Sequence, residues 1–319
     1  MTYLSVFMDI EDPINPLADN AALEIVNLFS EAGIKGSFCI TGEKCRSLVT
    51  RKRNDLIQAL MPHCLGLHTN THSVHPTTME LLSDVEYMEG CDLLFAAESP
   101  GYESFVEAFG QTPTFWGGAG NTWSPEVTLA LAMLRIPAYS YALTSVPDNQ
   151  IHRYNGIVAL PQMYSISEDE WAVGSPRIKS ILDTILKSRQ PWIGIFVGHP
   201  TRFRHNRFWD TPYMGGVNPK FLEPSQPVSQ VTYTQSLENL KGFLTQLKTK
   251  KTKVIGVDDL LQDGLPFRSP TEDEKEFFSY KTADMIRKAI KWPIHRPNLD
   301  PELIIEKTLR LMPTLEILD

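Results

Sequence analysis

The sequence is poor in several features that would have set its class at once. Four cysteines occur among 319 residues (Cys39, Cys45, Cys64 and Cys91), and no two stand at C-x-x-C spacing. That argues against a zinc ribbon or a dithiol redox pair and reads as reduced, mostly buried thiols. No apolar run approaches membrane-spanning length, so no membrane partner is predicted. Basic charge is in deficit: 30 Lys and Arg against 38 Asp and Glu give a net charge of -8. Nucleic acid and anionic lipid both need a basic face, and both are excluded as main partners. No G-x-G-x-x-G fingerprint, internal repeat or low-complexity segment is present. The opening run Met1-Thr2-Tyr3-Leu4-Ser5-Val6-Phe7 is strand-like from the start and has no basic n-region or cleavage site, which predicts a cytoplasmic protein.

What is present is the composition of a large soluble domain, 42% hydrophobic and 21% charged. Short apolar runs recur at Leu4 to Asp9, Ile34 to Ile40, Cys64 to Leu67, Pro113 to Trp116, Ala138 to Leu143, Gly156 to Leu160, Trp192 to Val197 and Lys253 to Val257. Helical patterns separate most of them. Asp19 or Asn20 can cap a helix that stops at Gly33, and Ser124-Pro125 and Ser175-Pro176 are helix starts. This alternation predicts an α/β fold, a distorted (β/α) barrel of about seven parallel strands over residues 1–265, with an open sheet as the alternative. Residues 266–319 read as a helical extension that packs on the barrel or makes a homo-oligomer contact.

Three of the eight histidines, His68, His72 and His75, lie between Leu65 and Pro76. At i and i+4 of a helical turn, His68 and His72 share a face and reach one ion. On this stretch alone, a polar loop with incidental histidines is an equal reading, and His75 reads as loop surface rather than as a supporting partner. Two other strand ends add to it: Asp9, Glu11 and Asp12 close the first run, and His199 follows the run Trp192 to Val197. Parallel barrel strands bring such ends to one face. A carboxylate with two histidines suits a divalent ion with open positions, leaving a carboxylate and a histidine for base and acid.

In these residues the chain resembles the polysaccharide deacetylase superfamily, the NodB-homology domain of carbohydrate esterase family 4. The matching segments are Phe7-Met8-Asp9-Ile10-Glu11-Asp12, His68-Thr69-Asn70-Thr71-His72, Phe115-Trp116-Gly117-Gly118-Ala119-Gly120 and Ile195-Phe196-Val197-Gly198-His199, within roughly residues 1 to 265. The resemblance implies a metal-dependent hydrolase that removes an acyl group from an N- or O-acylated sugar or related amide. It implies His68 and His72 as ligands of zinc, iron, manganese, cobalt or nickel, and His199 as general acid. Two registers are open for the carboxylates. Asp9 is the base and Glu11 the ligand, or Glu11 is the base and Asp12 the ligand. The first is preferred, because strand alternation puts Asp9 and Glu11 on one face.

Two departures stand out. The family's third-motif arginine, which steadies the base, is replaced by Trp116 and Gly117, with Arg202 or Arg135 as candidate substitutes. The fourth motif, with its Asp and Trp, is not evident. Trp116, Gly117, Arg202 and Trp209 are expected to line the substrate. A packed cap is an equal reading of the aromatic and basic loop after His199. Asp258 is expected to cap the following helix, with orientation of His199 as the alternative. Two rivals follow: a metal amidohydrolase of non-sugar amides, and a barrel without catalysis that serves as a binding module.

Overall fold

The computed structural model describes residues 2–142, 151–248, 252–262, 266–311 and 315–318, with backbone alone for Asn121, Tyr141 and Ala142. Leu143, the last residue of one expected strand, lies outside them. In chain order the strands are β1 (Thr2–Ile10), β2 (Ser37–Ile40), β3 (Cys64–Leu67), β4 (Phe115–Gly117), β5 (Ala138–Ala142), β6 (His152–Tyr154), β7 (Ile157–Gln162), β8 (Tyr164–Ser165), β9 (Trp192–Phe196), β10 (Thr252–Val254), β11 (Phe267–Arg268) and β12 (Leu315–Leu318).

β1 is buried along nearly its whole length, as a strand covered on both faces must be, and β2 and β3 are wholly buried. β1 pairs in parallel with β2 and β9, and the parallel ladder continues through β3, β4, β5 and β7. Only Met163 separates β7 from β8, and β8 pairs in parallel with β9. The backbone N–H of Met163 itself donates to Gly194 O at 2.8 Å. The strand paired with β5 therefore continues to pair with β9, and the sheet closes into a seven-stranded parallel barrel. The expected fold class is correct.

The sequence reading differs in two places, the start of the first helix and the make-up of the extension. The first helix spans Pro16–Glu31, not Asp19 onward, because Pro16 with its fixed φ takes the first helical turn. Asp19 is instead fully buried in an ion pair with Lys44, with Arg51 at 3.1 Å. The stretch Thr78–Leu82 is a short helix, and Tyr87–Phe109 is one helix that runs through Pro100. The extension is not only helical. Glu272–Ile290 and Pro301–Arg310 pack as helices, while β11 and β12 continue the sheet in antiparallel fashion from β6, which itself runs antiparallel to β7. An ion pair of the part-buried Lys307 with the buried Glu126, 2.6 Å, ties the last helix to the barrel. Among the described residues no helix is long and apolar enough to cross a membrane.

Candidate metal centre

β1, β3 and β9 end on the same side of the barrel, and their last residues meet there. Asp9 is the penultimate residue of β1 and Glu11 follows the strand, so alternation carries both carboxylates to one face. Glu11 Oε2 lies 3.4 Å from His68 Nε2 and 3.1 Å from His72 Nε2. Asp9 Oδ2 lies 3.6 Å from His68 Nε2 and 3.9 Å from His199 Nε2, which stands 3.8 Å from Glu11 Oε2. Glu11 is buried, while Asp9 and His199 keep 16% and 18% of their side chains exposed, so the cluster opens to solvent through those two.

The histidine pair does not meet through a helical turn. Residues 68–76 are loop, with Thr69 at φ 58 and His72 at φ 51. This left-handed backbone, costly for non-glycine residues, swings His72 back over His68. The Thr69 hydroxyl accepts from the His72 N–H at 3.0 Å and fixes the turn.

Each ring is held by its far nitrogen. His68 Nδ1 donates to Gly117 O at 2.9 Å. Ser73 Oγ donates to Asp210 Oδ2 at 2.7 Å, so the same oxygen is left to accept from His72 Nδ1 at 2.6 Å. With Nδ1 donating in each ring, the neutral tautomer carries its lone pair on Nε2, and both Nε2 atoms face one carboxylate. One donor atom each from Glu11, His68 and His72 lies within 4.8 Å of the others. Two imidazole nitrogens and a carboxylate oxygen, backed by hydrogen-bonded partners, fit a divalent transition metal. Gly117 must be glycine, since a Cβ there lies 2.8 Å from Cys39 Sγ and 3.1 Å from His68 Nδ1.

His199 is supported from behind. Glu168 Oε1 accepts from the His199 backbone N–H at 2.7 Å and from Nδ1 at 2.8 Å. Trp171, in the same short helix, is buried and donates to Val197 O. An acid and a tryptophan of one short helix thus back His199 and its strand, a pair not recognised in the sequence. The spacing Glu168-x-x-Trp171 was the available signal, hidden by a run of three acidic residues.

The electrostatics separate the two carboxylates. Burial raises Asp9 above the usual carboxylate range against the pull of His68 and His199, the direction a general base needs. Burial also opposes the charge of Glu11, but His72, His199 and His68 hold it well below that range. Burial alone lowers His199, yet Glu11, Glu168 and Asp9 raise it to about 9, so it carries its proton at neutral pH. The burial of Cys39 beside this cluster pushes its thiol up to about 11.

Several expected site residues lie elsewhere. Asp12 is turned away: its carboxylate accepts from Ile14 N, Asn15 N, Asn15 Nδ2 and Thr201 Oγ1, which leaves it as a turn-former. Trp116 is buried and donates to Glu98 Oε2 at 3.0 Å, offering no face to a substrate. Arg202 donates to His205 O and pairs with Asp169 at 3.3 Å, and Arg135 is exposed beyond the helix Pro125–Met133. The strongest influences on Asp9 include no arginine. Trp209 touches the cluster rather than a substrate, donating to Glu11 Oε1 at 3.2 Å. Asp258 pairs with Lys35 at 2.5 Å, beside Cys64 at the opposite ends of the strands. His75 is buried, not surface, between Glu80 and Tyr213 O.

No protein-family model matches the sequence, and no curated protein matches it. Solved structures do. A protein from Mycobacterium smegmatis, named as a polysaccharide deacetylase, matches with a TM-score of 0.55 at 13% identity, over 84% of this chain and 94% of that one. The fold is that of the polysaccharide deacetylases. The same barrel reaches into a 4-alpha-glucanotransferase from Thermococcus litoralis, with a TM-score of 0.56 at 11% identity, over 92% of this chain and 48% of that one. At these identities the likeness to deacetylases and to the transferase is one of fold.

Proposed function

We propose that this chain is a divalent-metal hydrolase that removes an acyl group from an N- or O-acylated sugar or a related amide. The reading rests on one observation: Glu11, His68 and His72 converge through Oε2 and two Nε2 atoms, with Asp9 and His199 within 4 Å of the same carboxylate or ring. Glu11, His68 and His72 would hold the ion, which would supply Lewis acidity for the acyl oxygen and for a water. Asp9, raised by burial, takes the proton of the attacking water. His199, protonated at Nε2 and held through Nδ1 by Glu168, gives a proton to the departing amine or alcohol. Trp209 and the Ser73–Asp210 pair fix the directions of Glu11 and His72.

That no arginine is among the strongest influences on Asp9 within the described residues favours a second reading, a barrel that binds an acylated ligand without turning it over. Acetate release from N-acetylglucosamine oligomers, with non-sugar N-acyl amides alongside, tests both. Acetate release from the sugars that is abolished in Asp9→Asn supports the proposal. Turnover of the non-sugar amides alone replaces the sugar with a simple amide. Binding of the oligomers with no turnover of either class leaves the binding module.

A further inference from the structure

The extension, expected from sequence to pack on the barrel or to make a homo-oligomer contact, sends one turn to the mouth of the barrel. Trp292 to His295 closes a turn through His295 N to Trp292 O, 3.0 Å. Three contacts hold it. Ile294 is buried in a cluster with Trp209 and Tyr213, and Trp209 is the residue that donates to Glu11. Gly215 N donates to Pro293 O at 2.9 Å. The Trp292 ring lies over Gly120, where a Cβ would come within 3.0 Å of Cγ. Gly120, at φ +59, sits three residues after the Gly117 carbonyl that holds His68. The turn therefore spans two loops that each carry a contact to the candidate metal ligands.

Trp292 is the exception among the tryptophans. Trp116, Trp123, Trp171, Trp192 and Trp209 are each 2% exposed or less, whereas Trp292 is 43% exposed. A large aromatic face costs free energy in water unless something covers it. Its ring rests on the Gly120 backbone, and the buried Ile294 anchors the turn beside it. Met214 and Val217, in the loop that bonds to Pro293, are also exposed and extend the apolar rim.

We propose that Trp292 is a substrate-binding residue, a stacking plate for a pyranose ring adjoining the acyl group at Asp9 and His199. The apolar C–H face of a sugar covers an indole, and sugar hydroxyls remain free for water or protein partners. This proposal deepens the sugar reading above and rests on it. It also assigns the extension a role in the site, so that substrate length is sensed by a segment outside the barrel.

The test uses the intact, metal-loaded protein and N-acetylglucosamine oligomers of one to four rings. With five tryptophans buried, quenching by acrylamide reports mainly on Trp292. Bound oligomer is expected to protect it, and Trp292→Ala to lose the quenchable signal. In Trp292→Ala, KM for the trimer rises roughly three- to tenfold with kcat within twofold, and Trp292→Phe recovers part of the loss. Matching urea midpoints of the variants show that the fold is intact. Protection without acetate release supports the stacking site while removing the deacetylation of these sugars. Acetate release with no protection and an unchanged KM in Trp292→Ala overturns the stacking site and leaves the hydrolase reading standing. No binding and no turnover of any oligomer overturns both.

Discussion

Glu168 grips His199 twice, at the backbone N–H (2.7 Å) and at ring Nδ1 (2.8 Å). A single carboxylate oxygen thus sets both where the histidine stands and which nitrogen faces Asp9. The expected result for Glu168→Gln is a fall in kcat of about 10²-fold, within the range for a mispositioned general acid, with KM nearly unchanged. Steady-state kinetics on the best acylated substrate checks this, and a change confined to KM contradicts the role.

The two carboxylate registers make opposite demands on Glu11 and Asp12. Glu11→Gln is expected to lose bound metal while folding normally. Asp12→Ala is expected to keep the metal and lose about 1–3 kcal/mol of stability, because it leaves the N–H groups of Ile14 and Asn15 and the Thr201 hydroxyl without their acceptor. Metal analysis and urea unfolding of the two variants separate the readings.

The fold was legible where hydrophobic pattern alone decides structure. β1, β2, β3 and β9 are buried runs closed by a polar strand end, and parallel pairing then brings Asp9, His68 and His199 together. The site's supports were not legible. The Ser73–Asp210 and Glu168–His199 contacts act across 137 and 31 residues of chain, and no local period marks them. The His68–His72 spacing gave the right pair for the wrong reason: the rings meet through positive φ at Thr69 and His72, which no helical periodicity encodes. Trp116 was misread because an aromatic at a strand end looks the same in sequence whether it faces the mouth or the core.

His72 depends on a relay. Removing either end of it, as Ser73→Ala or Asp210→Asn, is expected to weaken metal binding by about 10–100-fold, the usual cost of losing a ligand's hydrogen-bonded support. Calorimetric titration with zinc measures it. Parent-like affinity in both variants contradicts the relay.

Glu98 gives the fold a pH dependence of its own. Burial raises its carboxyl to about 7, although Trp116 Nε1 and Asn70 N donate to it. Between roughly pH 4.5 and 7 the folded chain holds a proton that the unfolded chain has released, so this group's contribution is complete below the unfolded value and is lost as pH rises through the folded one. Relative to parent, Glu98→Gln is expected to gain stability from pH 5 to pH 8, by at most about 3 kcal/mol. Urea midpoints across that range show the gain; a constant difference between the two proteins contradicts it.

The central claim is that Glu11, His68 and His72 hold one divalent ion. Its most direct test is the metal content of the purified, reloaded protein beside that of the double variant His68→Ala, His72→Ala. About one equivalent in the parent and none in the folded variant is the predicted result. Equal metal in both, or none in the parent after reloading under reducing conditions, contradicts it and removes the hydrolytic mechanism.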